Sequence, residues 1–104
     1  MAFTSRAPSK RVERTLTVCN PLGLHARPAA ELVRNAQSFR SQLWIVAGGK
    51  RFNAARLMEL LMANLDCGAT FVLEADGPDA AEALDRIEKL LLEFREAEAR
   101  GEMS

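Results

Sequence analysis

The only histidine of the chain, His25, lies in the segment GLHARPA at residues 23–29. Proline is favoured in the first turn of a helix, so Pro28 predicts that a helix begins beside His25. A helix start presents backbone N–H groups that have no partner, together with the positive end of the helix dipole. This position therefore predicts an imidazole held beside a site that attracts anions.

Such a histidine is suited to phosphoryl transfer. A cation is disfavoured at the start of a helix, so we expect the ring to be neutral near pH 7 and to act as a nucleophile. A phosphoryl group on the ring would lie against the helix N–H groups and near Arg27. The segment lacks the second acid or base expected of a hydrolase. It favours a reversible phosphoryl carrier, without metal or cofactor, over a self-contained enzyme.

Composition sets the limits within which this chemistry must work. The chain has 104 residues, which suits one domain, and its 14 basic residues balance 14 acidic ones. A net charge of zero argues against a general nucleic-acid binder. No apolar run approaches the roughly 20 residues of a membrane span, and the N-terminus does not resemble a secretory signal. Cys19 and Cys67 have no metal-ligand spacing, so we expect free thiols and a cytoplasmic protein.

Apolar spacing predicts four strands and three helices in the order βαββαβα. Strands with one apolar face need cover on one side only, so we expect an α+β open-faced sandwich. Its four-stranded, mainly antiparallel sheet would carry all three helices on one face. The domain is expected over residues 12–100, with flexible ends at 1–11 and 101–104. The predicted elements are a strand from Val12, a helix starting near residues 25–28, strands over 42–47 and from Lys50, a helix over about 54–65 capped by Asn53, a strand over 69–75, and a final helix that ends before Gly101.

The segment LGLHARPAA at residues 22–30 resembles the active-site loop of the HPr family, the histidine phosphocarriers of the bacterial phosphoenolpyruvate-dependent sugar phosphotransferase system. The resemblance extends from about residue 12 to 95. It implies that His25 accepts a phosphoryl group on Nδ1 from phosphorylated enzyme I and passes it to enzyme II A domains. It also implies that Arg27 and the helix start at Ala26 bind the phosphate, and that Asn20 helps to orient the imidazole.

The predicted second helix is richer in apolar residues than one inward face requires. One interpretation is a helix buried nearly all round. The resemblance implies instead that Leu57, Met58 and Leu61 lie outside and bind partner proteins, for which Met and Leu form an adaptable surface. Leu24 and Arg34 are expected to belong to this partner surface, with Arg27 and Arg34 as a positive rim for acidic partners. We expect the protein to act as a monomer.

One position departs from the family pattern. Many members have a regulatory serine at the start of the second helix, where this chain has Arg56, which cannot accept a phosphate. This favours, as an alternative, a regulatory module of the same fold, of a nitrogen-type or other non-transport branch, whose His25 state controls partner proteins. A plain interaction domain with an unmodified His25 is a third interpretation. The Glu and Arg run over residues 93–102 is interpreted as a solvated helix end.

Overall fold

The computed structural model describes residues 11–102 and has the predicted order of elements. Flexible ends are expected at 1–11 and 101–104; of these, residues 1–10 and 103–104 lie outside the described residues, and Arg11 begins the first strand. Within the described part of the chain, no helix is long and apolar enough to cross a membrane. The elements are β1 (Arg11–Thr17), α1 (Ala26–Gln37), β2 (Gln42–Ala47), β3 (Lys50–Asn53), α2 (Leu57–Met62), β4 (Thr70–Asp76) and α3 (Ala80–Ala99).

The four strands form one sheet in the order β1-β4-β2-β3, and every neighbouring pair is antiparallel. The central strand β4 pairs on both sides, so Leu73 lies opposite Arg14 of β1 and opposite Ile45 of β2. With the three helices, this sheet forms the open-faced sandwich expected from the sequence.

Side chains alternate between the two faces of the sheet, as its pleat requires. Leu43 and Ile45 of β2 are buried in the core, whereas Trp44 between them is partly exposed and has the Arg51 guanidinium 4.0 Å from its ring centre. The helices cover the core face with their buried apolar side chains. The buried helical positions include Ala29, Leu32, Val33 and Ala36 of α1, Leu60 of α2, and Leu84, Ile87, Leu91 and Phe94 of α3.

The second helix is shorter than predicted, and Asn53 is not its cap. The Asn53 side-chain oxygen accepts a hydrogen bond from the Ala55 N–H at 2.9 Å, which makes a turn before the helix starts at Leu57. Arg56 stands at the cap position and makes no side-chain capping bond. At the other end, Asn64 has a φ of 54°, a left-handed conformation that does not continue a helix. A local hydrogen bond before the helix and a left-handed residue after it thus override the apolar periodicity.

Candidate functional site

His25 is the residue that immediately precedes α1. Its backbone is extended (φ −74°, ψ −175°), and its carbonyl accepts the Ala29 N–H at 2.9 Å, the first hydrogen bond of the helix. Ala26 and Arg27 occupy the first two helical positions, where N–H groups have no partner within a helix, and Pro28 has no N–H. His25, whose side chain is 31% exposed, is therefore followed directly by the two residues that carry these backbone donors.

The loop before His25 is fixed against the segment that follows α2. The Leu24 N–H donates to the Leu65 carbonyl at 2.8 Å. Gly23 has a φ of 71°, and a Cβ at this position would lie 2.9 Å from Asp66 Cα and 3.0 Å from the Leu65 oxygen. Only glycine satisfies both the left-handed backbone and the close approach. The loop is consequently held against residues 65–67, which follow α2.

The C-terminal part of α3 fixes the same loop from another direction. The Glu98 carboxylate accepts hydrogen bonds from the Asn20 side-chain amide at 2.5 Å and from the Leu22 N–H at 3.0 Å. Its Oε2 atom lies 3.7 Å from His25 Nε2, which is close but too long for a hydrogen bond. The Glu98 side chain is only 5% exposed, so the interpretation of this run as a solvated helix end is wrong at this position.

The two ring nitrogens of His25 have different surroundings. Nε2 is buried and has no hydrogen-bond partner among the described residues; its nearest charged neighbour is Glu98. Nε2 therefore has no access to solvent, whereas Nδ1 is not among the buried side-chain atoms that lack a partner.

Asn20, expected to orient the imidazole, donates no hydrogen bond to it. Its buried side-chain amide donates to the Gly23 carbonyl at 2.8 Å and to Glu98. Asn20 therefore contacts the loop and Glu98, and any orientation of His25 by Asn20 is indirect.

The two arginines of the expected positive rim differ. Both are exposed, but Arg34 forms an ion pair with Glu31 at 2.7 Å. Within residues 11–102, the Arg27 guanidinium has neither an ion pair nor a hydrogen bond, so it remains available to an incoming anion. Arg27 is thus better suited than Arg34 to contact a transferred phosphate.

Of the residues expected at the partner surface, those of α2 are at least partly exposed, whereas Leu24 is buried. Leu24 is 7% exposed and belongs to the core, because its backbone bond to Leu65 turns the side chain inward. Leu57 and Met58 are exposed, Leu61 is half-buried, and the interpretation of α2 as buried all round is wrong. The sequence did not single out Leu22 or Met62. Four large apolar side chains are therefore exposed in the loop and on α2: Leu22, Leu57, Met58 and Met62.

The described part of the chain has two free cysteines and no cluster of metal-ligand side chains. Residues 11–102 contain no group of three or more His, Cys, Asp or Glu side chains arranged to hold a metal ion. Cys19 and Cys67 are free thiols, and the Cys19 Sγ lies 3.6 Å from the Leu91 carbonyl oxygen.

Comparison with known proteins agrees with this arrangement. The family model described as "PTS HPr component phosphorylation site" matches residues 12–93. The chain is 44% identical over 77 residues to phosphocarrier protein NPr of Shewanella violacea, covering 74% of this chain and 85% of that protein. It is 39% identical over 80 residues to phosphocarrier protein HPr of Cupriavidus necator, covering 77% and 90%.

A solved structure gives the same result. The crystal structure of phosphocarrier protein HPr from Bacillus anthracis superimposes with a TM-score of 0.75 and 31% identity, covering 77% of this chain and 95% of that one. An open-faced sandwich with a histidine at the start of its first helix is thus the fold of a phosphocarrier. The chain belongs to the HPr family of phosphocarriers of the phosphotransferase system.

Proposed function

We propose that this chain carries a phosphoryl group on Nδ1 of His25, accepts it from phosphorylated enzyme I, and passes it to enzyme II A domains in the cytoplasm. The observation that supports this most strongly is the position of His25, which immediately precedes α1 and has its Nε2 atom buried. Membership of the HPr family supports it independently.

The transfer requires no group from outside the two proteins. The Nδ1 lone pair attacks phosphorus, a new N–P bond forms, and the N–P bond of the donor phosphohistidine breaks. The N–H groups of Ala26 and Arg27 bind the phosphoryl oxygens, and the unpaired Arg27 guanidinium shares their charge. The same contacts serve in both directions, as a carrier requires.

The exposed apolar side chains are the proposed docking surface for both partners. Leu57 and Met58 at the start of α2 and Leu22 in the loop present flexible apolar groups without a large pocket. Such a surface adapts to different partners, because Met and Leu side chains repack at low cost. We propose that a monomer docks through this surface, with Arg27 and Arg34 facing acidic groups of the partner.

The test is direct phosphorylation. Incubation with enzyme I and phosphoenolpyruvate is expected to give one acid-labile, base-stable phosphoryl adduct, located at residue 25 by mass spectrometry. His25→Ala should gain none, whereas Lys50→Ala, which removes an exposed cation at the start of β3, outside the proposed docking surface, should retain the adduct. A wild-type protein without an adduct, or equal modification of His25→Ala, would contradict the proposal.

A regulatory role in a nitrogen-type branch is the second candidate. It is favoured by the relative named NPr, which is 44% identical, and by Arg56 at the position of the family's regulatory serine. The two roles differ in their donor. Parallel measurements of kcat/KM with the sugar-branch and the nitrogen-branch enzyme I distinguish them, because the physiological donor should be preferred by at least tenfold.

A further inference from the structure

Glu98 is a buried acidic group with no cationic partner of its own. Its side chain is 5% exposed, and both groups that donate hydrogen bonds to it, from Asn20 and Leu22, are neutral. In the described part of the chain, the only ring or side chain able to bring a positive charge within 4 Å of it is His25. A buried carboxylate is costly unless it is paired, so this arrangement is incomplete while the imidazole is neutral.

The imidazole nitrogen that faces Glu98 also lacks a partner. His25 Nε2 is buried without a hydrogen-bond partner, and the Glu98 Oε2 atom is 3.7 Å away. A nitrogen and an oxygen that are both buried need to approach by less than 1 Å to reach ordinary hydrogen-bond distance. Hydrogen bonds of this kind are often long in a resting site and shorten when the reacting state forms.

We propose that Glu98 is a positioning residue for His25: it keeps the ring proton on Nε2 and balances the positive charge that the ring gains when Nδ1 takes a phosphoryl group. This inference rests on the proposed function of His25 as the phosphoryl acceptor. It adds a residue from the part of α3 that continues beyond the family match, which ends at residue 93.

The charges balance as follows. With the proton on Nε2, the lone pair of the neutral ring lies on Nδ1. This pair forms the new N–P bond while the electron pair of the broken N–P bond returns to the donor nitrogen. The proton stays on Nε2, so the ring becomes a cation that faces the Glu98 carboxylate. When the phosphoryl group leaves, its bonding pair returns to Nδ1 and the ring is neutral again.

Glu98 also fixes the loop, and the test must separate the two roles. Glu98→Gln keeps the length of the side chain and an acceptor oxygen for Asn20 or Leu22, but removes the negative charge. Glu98→Ala removes both. Glu96→Gln removes an exposed carboxylate from the same end of α3 and serves as the matched control.

The first measurement needs no partner protein. Because the chain contains one histidine, ¹⁵N labelling of its ring gives a single pair of nitrogen signals. In mildly alkaline buffer, where imidazole is neutral, wild type and Glu96→Gln should show the proton mainly on Nε2. Glu98→Gln should shift the tautomer ratio toward Nδ1–H by at least threefold. An unchanged ratio in Glu98→Gln would overturn the proposal.

The second measurement is the rate of phosphorylation, with phosphoramidate as a small chemical donor and then with enzyme I. Glu98→Gln should react about tenfold more slowly with both donors, because a charge-assisted contact to the ring cation is lost. A rate equal to wild type in Glu98→Gln, with loss only in Glu98→Ala, would make Glu98 a structural residue and overturn the proposal. So would a faster Glu98→Gln, because repulsion of the phosphoryl group would then dominate.

The two proposals fail in different ways. If phosphoramidate modifies wild type and the tautomer ratio depends on Glu98 but enzyme I gives no adduct, the proposed carrier function is wrong and the role of Glu98 at the ring stands. If enzyme I phosphorylates wild type and Glu98→Gln alike, the carrier function stands and the role of Glu98 is wrong.

Discussion

The two ends of α3 each fix a loop by a carboxylate, but they do so for different purposes. Asp79, just before the helix, accepts hydrogen bonds from the Arg40 N–H at 2.9 Å and from the Ser41 N–H and hydroxyl at 2.9 and 2.6 Å. Glu98, about 28 Å further along the helix axis, accepts them from Asn20 and Leu22. Both ends therefore use the same bonding pattern to hold a loop against the helix.

The difference between these ends is what each carboxylate leaves unsatisfied. The hydroxyl and the amides around Asp79 form a complete set, and Ser41 also accepts a hydrogen bond from the Asp79 N–H at 3.2 Å. The Glu98 side chain is 5% exposed and faces a buried nitrogen that has no partner. A complete set of bonds stabilises the fold only, whereas an incomplete set can respond to a change of charge on the histidine.

The largest expected effect comes from the glycine that each loop requires. An added Cβ at Gly23 would lie 2.9 Å from Asp66 Cα, and one at Gly77 would lie 2.6 Å from Ser41 Cα. Gly23→Ala and Gly77→Ala should each lower the free energy of unfolding by about 2–4 kcal/mol, because the cost of overpacking adds to that of the positive φ; chemical denaturation measures the loss. Only Gly23→Ala should also slow phosphorylation of the folded protein, because only that loop precedes His25.

The matched control for the glycines is Gly48→Ala. Gly48 also has a left-handed backbone (φ 59°), but an added Cβ there meets nothing within 4 Å. Gly48→Ala should lower the free energy of unfolding by about 1 kcal/mol, which is the cost of the left-handed backbone alone. An equal loss of stability in all three variants would show that the close contacts of Gly23 and Gly77 do not affect the free energy of unfolding. A slower phosphorylation in Gly77→Ala would remove the distinction between the two ends.

The next effect concerns the surface beside the active end of the molecule. Met58 is 71% exposed on α2, so Met58→Glu should leave the free energy of unfolding within about 0.5 kcal/mol of wild type. A charge within the apolar surface should weaken the binding of enzyme I by at least tenfold, measured by calorimetric titration. Leu60→Ala, at a buried position of the same helix, should instead cost about 2–5 kcal/mol of stability. Unfolding of Met58→Glu, or unchanged affinity, would contradict the proposed docking surface.

Sequence patterns predicted most of this architecture because the relevant forces are local. The strand alternation around Leu43 and Ile45, the helical spacing of α1 and α3, and the position of His25 at a helix start all depend on neighbouring residues. The predicted end of α2 was wrong because Asn64, in a left-handed conformation, interrupts an apolar spacing that continues to Leu65. The predicted exposure of Leu24 was wrong because the direction of its side chain depends on a backbone hydrogen bond to the distant Leu65 carbonyl.

No pattern in the sequence indicated that Glu98 lies beside His25. It is separated from His25 by most of the chain, and its Glu- and Arg-rich surroundings are typical of a solvated helix end. Its burial follows from the length of α3, which brings the last helical turn beside the loop that contains Leu22. Its place at the site thus required the three-dimensional fold, since no periodicity relates positions so far apart.

The smallest expected effect tests whether Asp79 contributes only to the stability of the fold and not to the reaction at His25. The Ser41 hydroxyl and then the Arg40 N–H stabilise the ionised carboxylate, and together they hold the pKa of Asp79 below its ordinary value. A group whose pKa is lower in the folded state stabilises the protein above its unfolded pKa, and this contribution is lost as the pH falls through the folded value. Asp79→Asn should therefore lower Tm at pH 7, and the difference from wild type should shrink below about pH 4.

Glu82→Gln, at an exposed carboxylate in the first turn of α3, should show a smaller change at either pH. Neither variant should alter the rate at which phosphoramidate modifies His25. A slower rate in Asp79→Asn at unchanged folded fraction would mean that the far end of α3 is coupled to the histidine, and that the two carboxylates act on the same site.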